Sequence, residues 1–234
     1  MAVFGGSMAK DALRACGLFG HAEEPVLDAL AAALRIRRFR KGETIFHQGD
    51  PGDALFIVAT GSVKVVLPSD EGAEPAIVAV LGAGEFFGEL AILDGAPHSA
   101  TIVALEPTET LVLHRDAFLG LIDSQPELRR ALLASLATEI RRLTGHVEDL
   151  HFLDLPGRLA SRILRLAAAD GTAPTGSTSI PWPYTQSELA GMIGGSRQSV
   201  NRLLADLVDE GIIRIERDVL TVTDLGRLAR TVER

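Results

Sequence analysis

The sequence is poor in cysteine and has no long apolar run. Its 234 residues include one cysteine, Cys16, which excludes an internal disulfide framework and an iron–sulfur cluster held only by cysteines of one chain. No apolar run approaches the roughly 20 residues that a membrane-spanning helix needs. The first eight residues lack a cationic start and a full apolar core, so we do not expect a signal peptide. We therefore expect a cytoplasmic protein with no membrane partner.

Signatures of catalytic sites are also missing. The sequence contains no Gly-x-Ser-x-Gly nucleophile elbow, no phosphate-binding loop and no His-Glu-x-x-His zinc motif. Its histidines do not combine with acids or cysteine at metal-ligand spacings. We expect no enzymatic activity and no bound metal. Haem or metal sensing through His98, His114 or His146 is the lesser alternative that these residues leave open.

The charge distribution confines any nucleic-acid contact to the C-terminal third. The net charge is −8, which argues against a general nucleic-acid binder. From Asp154 onward arginines and acids balance, so the excess of acid lies in the first 153 residues. A DNA contact would then be local, would depend on few arginines and would be salt-sensitive.

The segment Thr185–Leu204, TQSELAGMIGGSRQSVNRLL, predicts two short helices joined by a tight turn. Thr185 and Glu188 form a capping-box pattern. Gly194-Gly195 supplies the turn, because glycine adopts left-handed dihedrals at little cost, and Ser196 is a favourable N-cap for the second helix. This order is typical of a helix-turn-helix that reads DNA. The alternative is a helical hairpin with a solvated polar face.

The second helix carries polar side chains on its outer face. Arginine can donate two hydrogen bonds to guanine, and asparagine or glutamine can pair with adenine. The residues expected to face inward are Val200, Leu203, Leu204 and Leu207. The predicted DNA-binding residues are Thr185, Ser196, Arg197, Gln198, Ser199, Asn201, Arg202 and Arg217.

A β-hairpin is predicted after these helices. Two β-prone runs, 212–215 and 219–222, flank the segment Glu216-Arg217-Asp218. This hairpin would form a wing whose Arg214 and Arg217 meet phosphates. Asp224 is expected to cap a last short helix.

Short β-prone runs dominate the first half of the chain. They are separated by glycine-bearing turns about every ten residues, a spacing that predicts an antiparallel barrel or sandwich. The runs are Ala54–Ala59, Val63–Leu67, Ala76–Leu81, Thr101–Leu105 and Thr110–His114. Residues 9–34, ahead of them, are expected to be helical.

A long amphipathic helix is predicted from Pro126 to about His151. Its apolar seam, at steps near 3.5 residues, consists of Leu128, Leu132, Leu136, Ile140, Leu143, Val147 and Leu150. Such a seam predicts a coiled coil between two subunits, and a helix-turn-helix usually reads two half-sites as a dimer. The alternative is packing on its own barrel only. Pro156-Gly157 is expected to break the helix, and 171–179 to form a loop.

The barrel, the long helix and the winged helix-turn-helix, in this order, resemble the Crp/Fnr family of bacterial transcription regulators. The likeness covers nearly the whole chain, and the C-terminal half resembles the actinobacterial members. The segments that carry it are Arg40–Asp53 (RKGETIFHQGDPGD), Gly88-Glu89-Leu90, Phe152-Leu153-Asp154 and Ser196-Arg197. The resemblance implies a homodimer that senses a small effector in the barrel and controls promoters together with RNA polymerase.

The expected fold class is therefore α+β, in three parts. The first part is an effector-sensing β-roll of the cyclic-nucleotide-binding type with flanking helices, at 9–125. A dimerisation helix and hinge follow at 126–153, and a winged helix-turn-helix domain occupies 154–234.

The effector site departs from the pattern of cyclic-AMP-binding members. The resemblance implies that backbone amides after Gly-Glu-Leu bind the phosphate, that the glutamate accepts from a ribose hydroxyl, and that an arginine before Ser-Ala pairs with the phosphate. Here His98 occupies the arginine's position, and the loop leading to Ser99-Ala100 is one residue shorter. Histidine is mostly uncharged at neutral pH, so a charge-assisted contact worth about 2–5 kcal/mol is lost.

The purine side of the implied site is also incomplete. The family's Thr-Ser pair on the dimer helix corresponds to Leu143-Thr144, so only the second hydroxyl is present. The predicted effector-binding residues are Gly88, Glu89, Leu90, His98, Ser99 and Thr144.

Each of these roles has a structural alternative. Glu89 would cap a helix start, His98 would be a partly exposed loop histidine, and Thr144 would bond to its own helix. Two effector hypotheses follow: a cyclic nucleotide such as cyclic AMP binds in the roll, or another ligand or none does and the dimer binds DNA without an effector.

The recognition helix departs at one position. Many family members place glutamate after its first arginine, where the carboxylate accepts from cytosine N4. This chain has Gln198 there. We expect Arg197 and Arg202 to keep guanine contacts, while preference at the Gln198 position relaxes or shifts toward adenine.

Overall fold

The computed structural model describes residues 6–69, 74–168 and 177–232. These residues form two compact units. The N-terminal unit contains the described residues up to Pro68 and those of Val78–Arg141, and the C-terminal unit contains those of Ser69–Ile77 and from Arg142 onward.

The β-roll consists of two sheets. Its strands are β1 (Arg35–Phe39), β2 (Thr44–Phe46), β3 (Ala54–Thr60), β4 (Val63–Leu67), β5 (Ala76–Leu81), β6 (Phe86–Phe87), β7 (Thr101–Ala104) and β8 (Thr108–His114). One sheet has the order β1-β8-β3-β6 and the other the order β2-β7-β4-β5. Strand pairs such as β3–β8 and β4–β7 are antiparallel, which confirms the predicted antiparallel architecture.

Strand β3 divides the core of the N-terminal unit into two layers. Because side chains alternate across a strand, Leu55 and Ile57 point to one side and Phe56 and Val58 to the other. The first pair joins a cluster with the helices, and the second joins the interior between the two sheets. Residues 54–58 of β3 are therefore all buried rather than alternately buried and exposed.

Helices cover one side of the roll. In chain order they are α1 (Gly6–Ala15), α2 (Glu24–Ala33), α3 (Glu89–Asp94), α4 (Arg115–Ser124) and α5 (Pro126–Phe152). The prediction of continuous helix over 9–34 is wrong over 16–23, where the chain turns. Helix α2 begins after this turn, at Glu24. Pro25 lies in its first turn, where the missing N–H costs no hydrogen bond.

The apolar stripe of α5 is divided between two environments. Leu128 and Leu132 are buried in the core of the N-terminal unit, so this part of the predicted seam packs on its own barrel. Further along the helix, Ile140 is 65% exposed and Val147 62% exposed. Leu133, next to the buried Leu132, is also 62% exposed. Leu133, Ile140 and Val147 are spaced by seven residues, so the exposed seam runs through Leu133 rather than through Leu132.

The C-terminal unit is a winged helix-turn-helix. Its further elements are α6 (Leu155–Ala167), β9 (Thr178–Pro181), α7 (Gln186–Ile193), α8 (Arg197–Asp209), β10 (Ile213–Glu216), β11 (Val219–Val222) and α9 (Leu225–Val232). The strands form an antiparallel sheet of order β10-β11-β9. The hairpin prediction is confirmed, with its turn at Arg217-Asp218. Asp224 accepts from the backbone N–H of Arg227 at 2.8 Å, as expected of the cap of α9.

Two predictions in this unit need correction. Pro156 does not interrupt a helix but lies in the first turn of α6, which Asp154 caps by accepting from the Gly157 N–H at 2.8 Å. Residues 171–176 of the predicted loop lie outside the described residues. Thr178-Ser179 belong to β9 rather than to a loop, because they pair with β11. Within the described residues, no helix is long and apolar enough to cross a membrane.

Candidate effector pocket and nucleic-acid interface

Gly88 turns the chain from β6 into α3. Its φ of 88° is in the left-handed region, and it is the N-cap residue of α3. A Cβ at this position would lie 2.8 Å from the Ala54 carbonyl oxygen, so a side chain is excluded by both backbone conformation and space. The turn makes Glu89 the first residue of α3, and the side chain of Leu90 is exposed.

Glu89 is a half-buried carboxyl group. Burial raises its pKa, a hydrogen bond from its own backbone N–H acts in the opposite direction, and the nearby Glu139 carboxyl raises the pKa further. Glu89 is the first residue of α3 and Gly88 its N-cap, so the capping role and the effector role of Glu89 both stay predictions. One carboxylate has a second oxygen, so capping and acceptance from a ligand hydroxyl are compatible.

His98 is buried, with 7% of its surface exposed, so the alternative of a partly exposed loop histidine is wrong. Its ring stacks on Phe46, with 3.5 Å between ring centroids and 6° between ring planes. Its backbone N–H donates to the Asp50 carbonyl at 2.9 Å, and its own carbonyl accepts from the Gly49 N–H at 2.9 Å. Backbone and ring are thus both fixed.

Gly52 makes room for the His98 ring, and Gly88 lies close to it. A Cβ on Gly52 would lie 2.8 Å from His98 Cε1 and 2.5 Å from the Ala91 Cβ. A Cβ on Gly88 would lie 3.8 Å from the same Cε1 atom. The ring therefore lies beside the start of α3, where the implied phosphate site is built.

Burial lowers the pKa of His98, and the carboxylates of Asp50 and Asp53 only partly oppose this. The ring is consequently neutral at pH 7. An arginine at this position would hold a permanent charge and a fork of donors, whereas this imidazole offers one N–H at most when neutral.

The structure brings together most, but not all, of the predicted effector residues. Gly88, Glu89 and Leu90 share the start of α3, His98 contacts it, and Ser99 is exposed next in the chain. Thr144 lies in the part of α5 that belongs to the C-terminal unit and is exposed, so its effector role stays a prediction. In the described ranges, no group of three or more His, Cys, Asp or Glu side chains is placed to hold a metal ion.

Sequence reasoning missed Phe46 and Gly52 as parts of the pocket. Both lie inside the segment Arg40–Asp53 that carried the family resemblance. An aromatic residue on β2 followed by a Pro-Gly turn was the available signal, but the stack depends on a contact with a residue about 50 positions later in the chain.

The helix-turn-helix is held by local caps. Thr185 accepts from the Glu188 N–H at 3.2 Å, while Glu188 accepts from the Thr185 N–H at 2.8 Å. Helix α7 ends at Gly194, whose φ is 65°. Ser196 caps α8 by accepting from the Ser199 N–H at 3.1 Å. The predicted capping box, turn and N-cap are confirmed.

Helix α8 has one buried and one exposed face. Val200, Leu204 and Leu207 are buried, while the exposed side chains include Arg197, Gln198, Asn201 and Arg202. Ser199 is half-buried, and its hydroxyl is 2.9 Å from that of Ser196. The arrangement presents donors and acceptors near the N-terminus of α8, where a major groove would meet them.

Asn201 is less free than the sequence indicated. Gln186, at the start of α7, donates from Nε2 to the Asn201 Oδ1 atom at 2.8 Å. This bond uses one lone pair of Oδ1, so Asn201 keeps a second lone pair and both Nδ2 protons, the acceptor and the donor that pair with adenine. Gln186 is therefore a positioning residue that the sequence analysis did not identify.

The wing turn is conformationally costly. Arg217 has a φ of 53°, a left-handed conformation that costs a non-glycine residue about 1–2 kcal/mol. Arg214 lies 3.7 Å from the Glu216 carboxylate, so part of its charge is already compensated. Arg217 is exposed at the tip of the hairpin.

Two family models match the chain. The cyclic nucleotide-binding domain matches residues 36–125, and the Crp-like helix-turn-helix domain matches residues 157–231. These ranges correspond to the β-roll with α3 and α4, and to the winged helix-turn-helix.

Relatives match over almost the full length. The CRP-like cAMP-activated global transcriptional regulator of Mycobacterium tuberculosis is 35% identical over 218 residues, which are 93% of this chain and 97% of the relative. The cyclic AMP receptor protein of Thermus thermophilus is 35% identical over 89% of this chain and 93% of its own length. A solved structure of a CooA mutant from Carboxydothermus hydrogenoformans is 26% identical, with a TM-score of 0.72 over 87% of this chain and 89% of that one.

A cyclic nucleotide-binding roll joined by a long helix to a DNA-reading domain defines a class of ligand-responsive transcription regulators. The chain belongs to the Crp/Fnr family of these regulators.

The burial of His98 predicts a pH-dependent loss of stability. Because its pKa is lower in the folded than in the unfolded chain, the unfolded state binds the proton more tightly. Folding stability should therefore fall as the pH drops through the window between the unfolded pKa, near 6.5, and the lower folded pKa, by at most about 1.4 kcal/mol per pH unit for this one group. His98→Phe keeps the stacked ring without the proton.

Urea unfolding of both proteins at pH 7 and pH 5 checks this. The variant should lose less stability on acidification than the natural chain. An equal loss of unfolding free energy in both proteins would show that folding does not lower the pKa of His98.

Proposed function

We propose that the chain reads promoter DNA through Arg197, Gln198 and Arg202 of α8, with Arg217 of the wing on a phosphate. The observation that carries this is the capped α7–α8 pair, which exposes these side chains opposite the buried face of α8. Cations and amides at these positions match the donor and acceptor pattern of base edges. The site of action is the bacterial cytoplasm, where promoter DNA lies.

The protein binds DNA as a homodimer. The exposed seam of α5, Leu133, Ile140, Leu143, Val147 and Leu150, has the seven-residue spacing of a coiled-coil interface. A contiguous apolar stripe of this kind marks an interaction surface, and a second copy of the same helix matches its length and spacing. Two copies of α8 would then read two half-sites. RNA polymerase is the further partner through which DNA binding would control transcription.

The effector is a cyclic nucleotide bound in the β-roll. Support comes from the match to the cyclic nucleotide-binding domain and from the names of relatives described as cAMP-activated. Gly88, Glu89 and Leu90 retain the turn and the carboxylate, and Ser99 adds a hydroxyl. With a neutral, stacked His98 the phosphate lacks a charged partner, so we expect cyclic AMP to bind weakly.

A second candidate is DNA binding that needs no cyclic nucleotide. The observation in its favour is the stack of His98 on Phe46 beside Gly52, which fills the arginine's position with a ring packed against the protein itself. In this case a different ligand, or none, controls the dimer.

Arg217→Gly should separate stability from DNA binding. Glycine removes the cost of the positive φ, so the free energy of unfolding should rise by up to about 1 kcal/mol. The loss of one phosphate contact in each subunit should weaken DNA binding for all sequences and reduce the magnitude of the slope of log affinity against log salt by about 2 for the dimer. Urea unfolding and a salt series of electrophoretic shifts measure both effects.

Arg217→Gln is the control, since it removes the charge and keeps the strained backbone. It should lose the same DNA affinity without gaining stability. If Arg217→Gly binds DNA with an unchanged salt slope, the wing tip does not contact a phosphate.

Gln198→Glu should restore a preference for cytosine at one position of each half-site. A carboxylate accepts from cytosine N4, whereas the amide pairs better with adenine, and each such contact is worth about 1–3 kcal/mol. Selection from randomised duplexes measures the preference for both proteins. Ala205→Glu adds the same charge to an exposed site further along α8 and should leave the preference unaltered. A natural chain that already selects cytosine as strongly as Gln198→Glu would contradict the assignment.

His98→Arg should tighten cyclic AMP binding by about 30-fold or more, because it supplies the charge-assisted phosphate contact. Calorimetry on the natural chain and on the variant measures this. Glu89→Gln, introduced into the variant, should weaken the restored binding if the carboxylate accepts from the ribose.

The two candidates give different results in this experiment. Weak binding by the natural chain and tighter binding by His98→Arg support the cyclic nucleotide. No binding by either protein, together with tight promoter binding in the absence of nucleotide, supports the second candidate and rejects the first.

A further inference from the structure

A cluster of cationic side chains lies within the C-terminal unit, between α5 and α6. Arg142, His146 and Asp149 are spaced i, i+4 and i+7 on α5 and therefore share one face of that helix. Arg162 and Arg165 are spaced i and i+3 on α6. We call Arg142, His146, Arg162 and Arg165 the cationic cluster, after its three arginines; His146 joins it as a neutral hydrogen-bond donor at pH 7.

Asp149, which lies beside this cluster, is already engaged. Its Oδ2 atom accepts from Arg165 Nη2 at 2.7 Å and lies 3.2 Å from the Ser161 hydroxyl, which also donates to it. The Arg165 guanidinium lies along the small surface of Gly145, where a Cβ would be 3.7 Å from Nη1. Asp149 thus compensates Arg165 first.

Arg162 has the neutral Tyr184 hydroxyl as a partner and, within the described ranges, a buried N–H without an acceptor. It donates a hydrogen bond to the Tyr184 hydroxyl, and the charges of Arg142 and Arg165 act on it. Its Nε atom is buried and donates to no acceptor among the residues that the structure describes. A buried N–H without an acceptor costs free energy that a bound acceptor would recover.

The arginines on α5 and α6 disfavour additional positive charge within the cluster. Burial lowers the pKa of Arg162, with Arg142 and Arg165 adding to the effect. Burial also lowers the pKa of His146, which Asp149 opposes and the three arginines reinforce. Each of these groups would gain from a negative charge placed among them.

We infer that the cationic cluster binds a tetrahedral oxyanion, the phosphate group of a small molecule. The guanidinium fork of Arg162 matches two oxygens of such a group, and Arg142, Arg165 and His146 surround it with further donors. All four side chains belong to the C-terminal unit, so this site is separate from the effector residues of the roll. Since α5 and α6 both contribute, a bound phosphate would stabilise their packing.

Calorimetric titration of the full chain with inorganic phosphate, in chloride buffer of constant ionic strength, tests the inference. We expect saturable binding and a raised melting temperature. Arg162→Gln should weaken phosphate binding at least about tenfold, which corresponds to one lost charge-assisted contact. Arg141→Gln, which removes an exposed arginine one residue outside the cluster, should bind phosphate like the natural chain.

A variant that is expected to bind phosphate more tightly shows that a change in binding is not caused by misfolding. Asp149→Asn removes the negative charge that competes with phosphate and should tighten binding. No saturable phosphate binding, or equal binding by Arg162→Gln and the natural chain, would overturn the site. So would weaker binding by Asp149→Asn in a protein with a native circular dichroism spectrum.

Competition with duplex DNA distinguishes the two sources of phosphate. Phosphate binding that persists when a duplex is bound assigns the cluster to a small molecule. Stoichiometric displacement of phosphate by the duplex would assign the cluster to the DNA backbone and overturn the small-molecule site.

Discussion

The apolar stripe of α5 is the constraint on which the rest of the molecule depends. At one end, Leu128 and Leu132 complete the core that also contains Leu113 and Phe118, so this part of the helix is held by its own roll. Further along, Ile140 and Val147 remain largely exposed. Apolar area left in water costs roughly 25 cal/mol per Å², and a second copy of α5 is the surface that matches its spacing. The same helix also provides the α5 face of the cationic cluster, so folding, pairing and charge balance all rely on it.

Both functional regions use charge sparingly. In the roll, a neutral ring stacked on Phe46 stands where relatives of the cyclic-AMP type are expected to use a permanent cation, and Gly52 leaves the space for it. In the helix-turn-helix, Gln198 occupies a position where many family members have glutamate, and Asn201 accepts a hydrogen bond from Gln186. The two departures act in the same way, since each replaces a fixed charge by a neutral hydrogen-bonding group. Selectivity for both the effector and the base should therefore rest more on geometry than on charge.

The features that were predictable from sequence are those with local causes. The capping box at Thr185, the left-handed Gly194 and the N-cap at Ser196 depend on neighbours within about four residues, and all three were expected. Strand β1, with the sequence RIRRF, was missed because its exposed arginines mask the buried Phe39. The orientation of His98 was not predictable either, because it is determined by Phe46 and Gly52, far away in the chain. The division of the α5 stripe follows from the same limit: periodicity shows that the residues share a face, but not which neighbour covers them.

Sedimentation equilibrium of the full chain and of Val147→Glu, combined with electrophoretic shifts on a two-half-site duplex, tests the central claim most directly. We expect the natural chain to have twice the monomer mass of 24.9 kDa and to bind the duplex as a dimer. Val147→Glu should be monomeric and bind the duplex poorly, while Arg141→Glu, off the apolar stripe, should remain dimeric. A natural chain that is monomeric at micromolar concentration, or a Val147→Glu variant that stays dimeric and binds DNA normally, would contradict it.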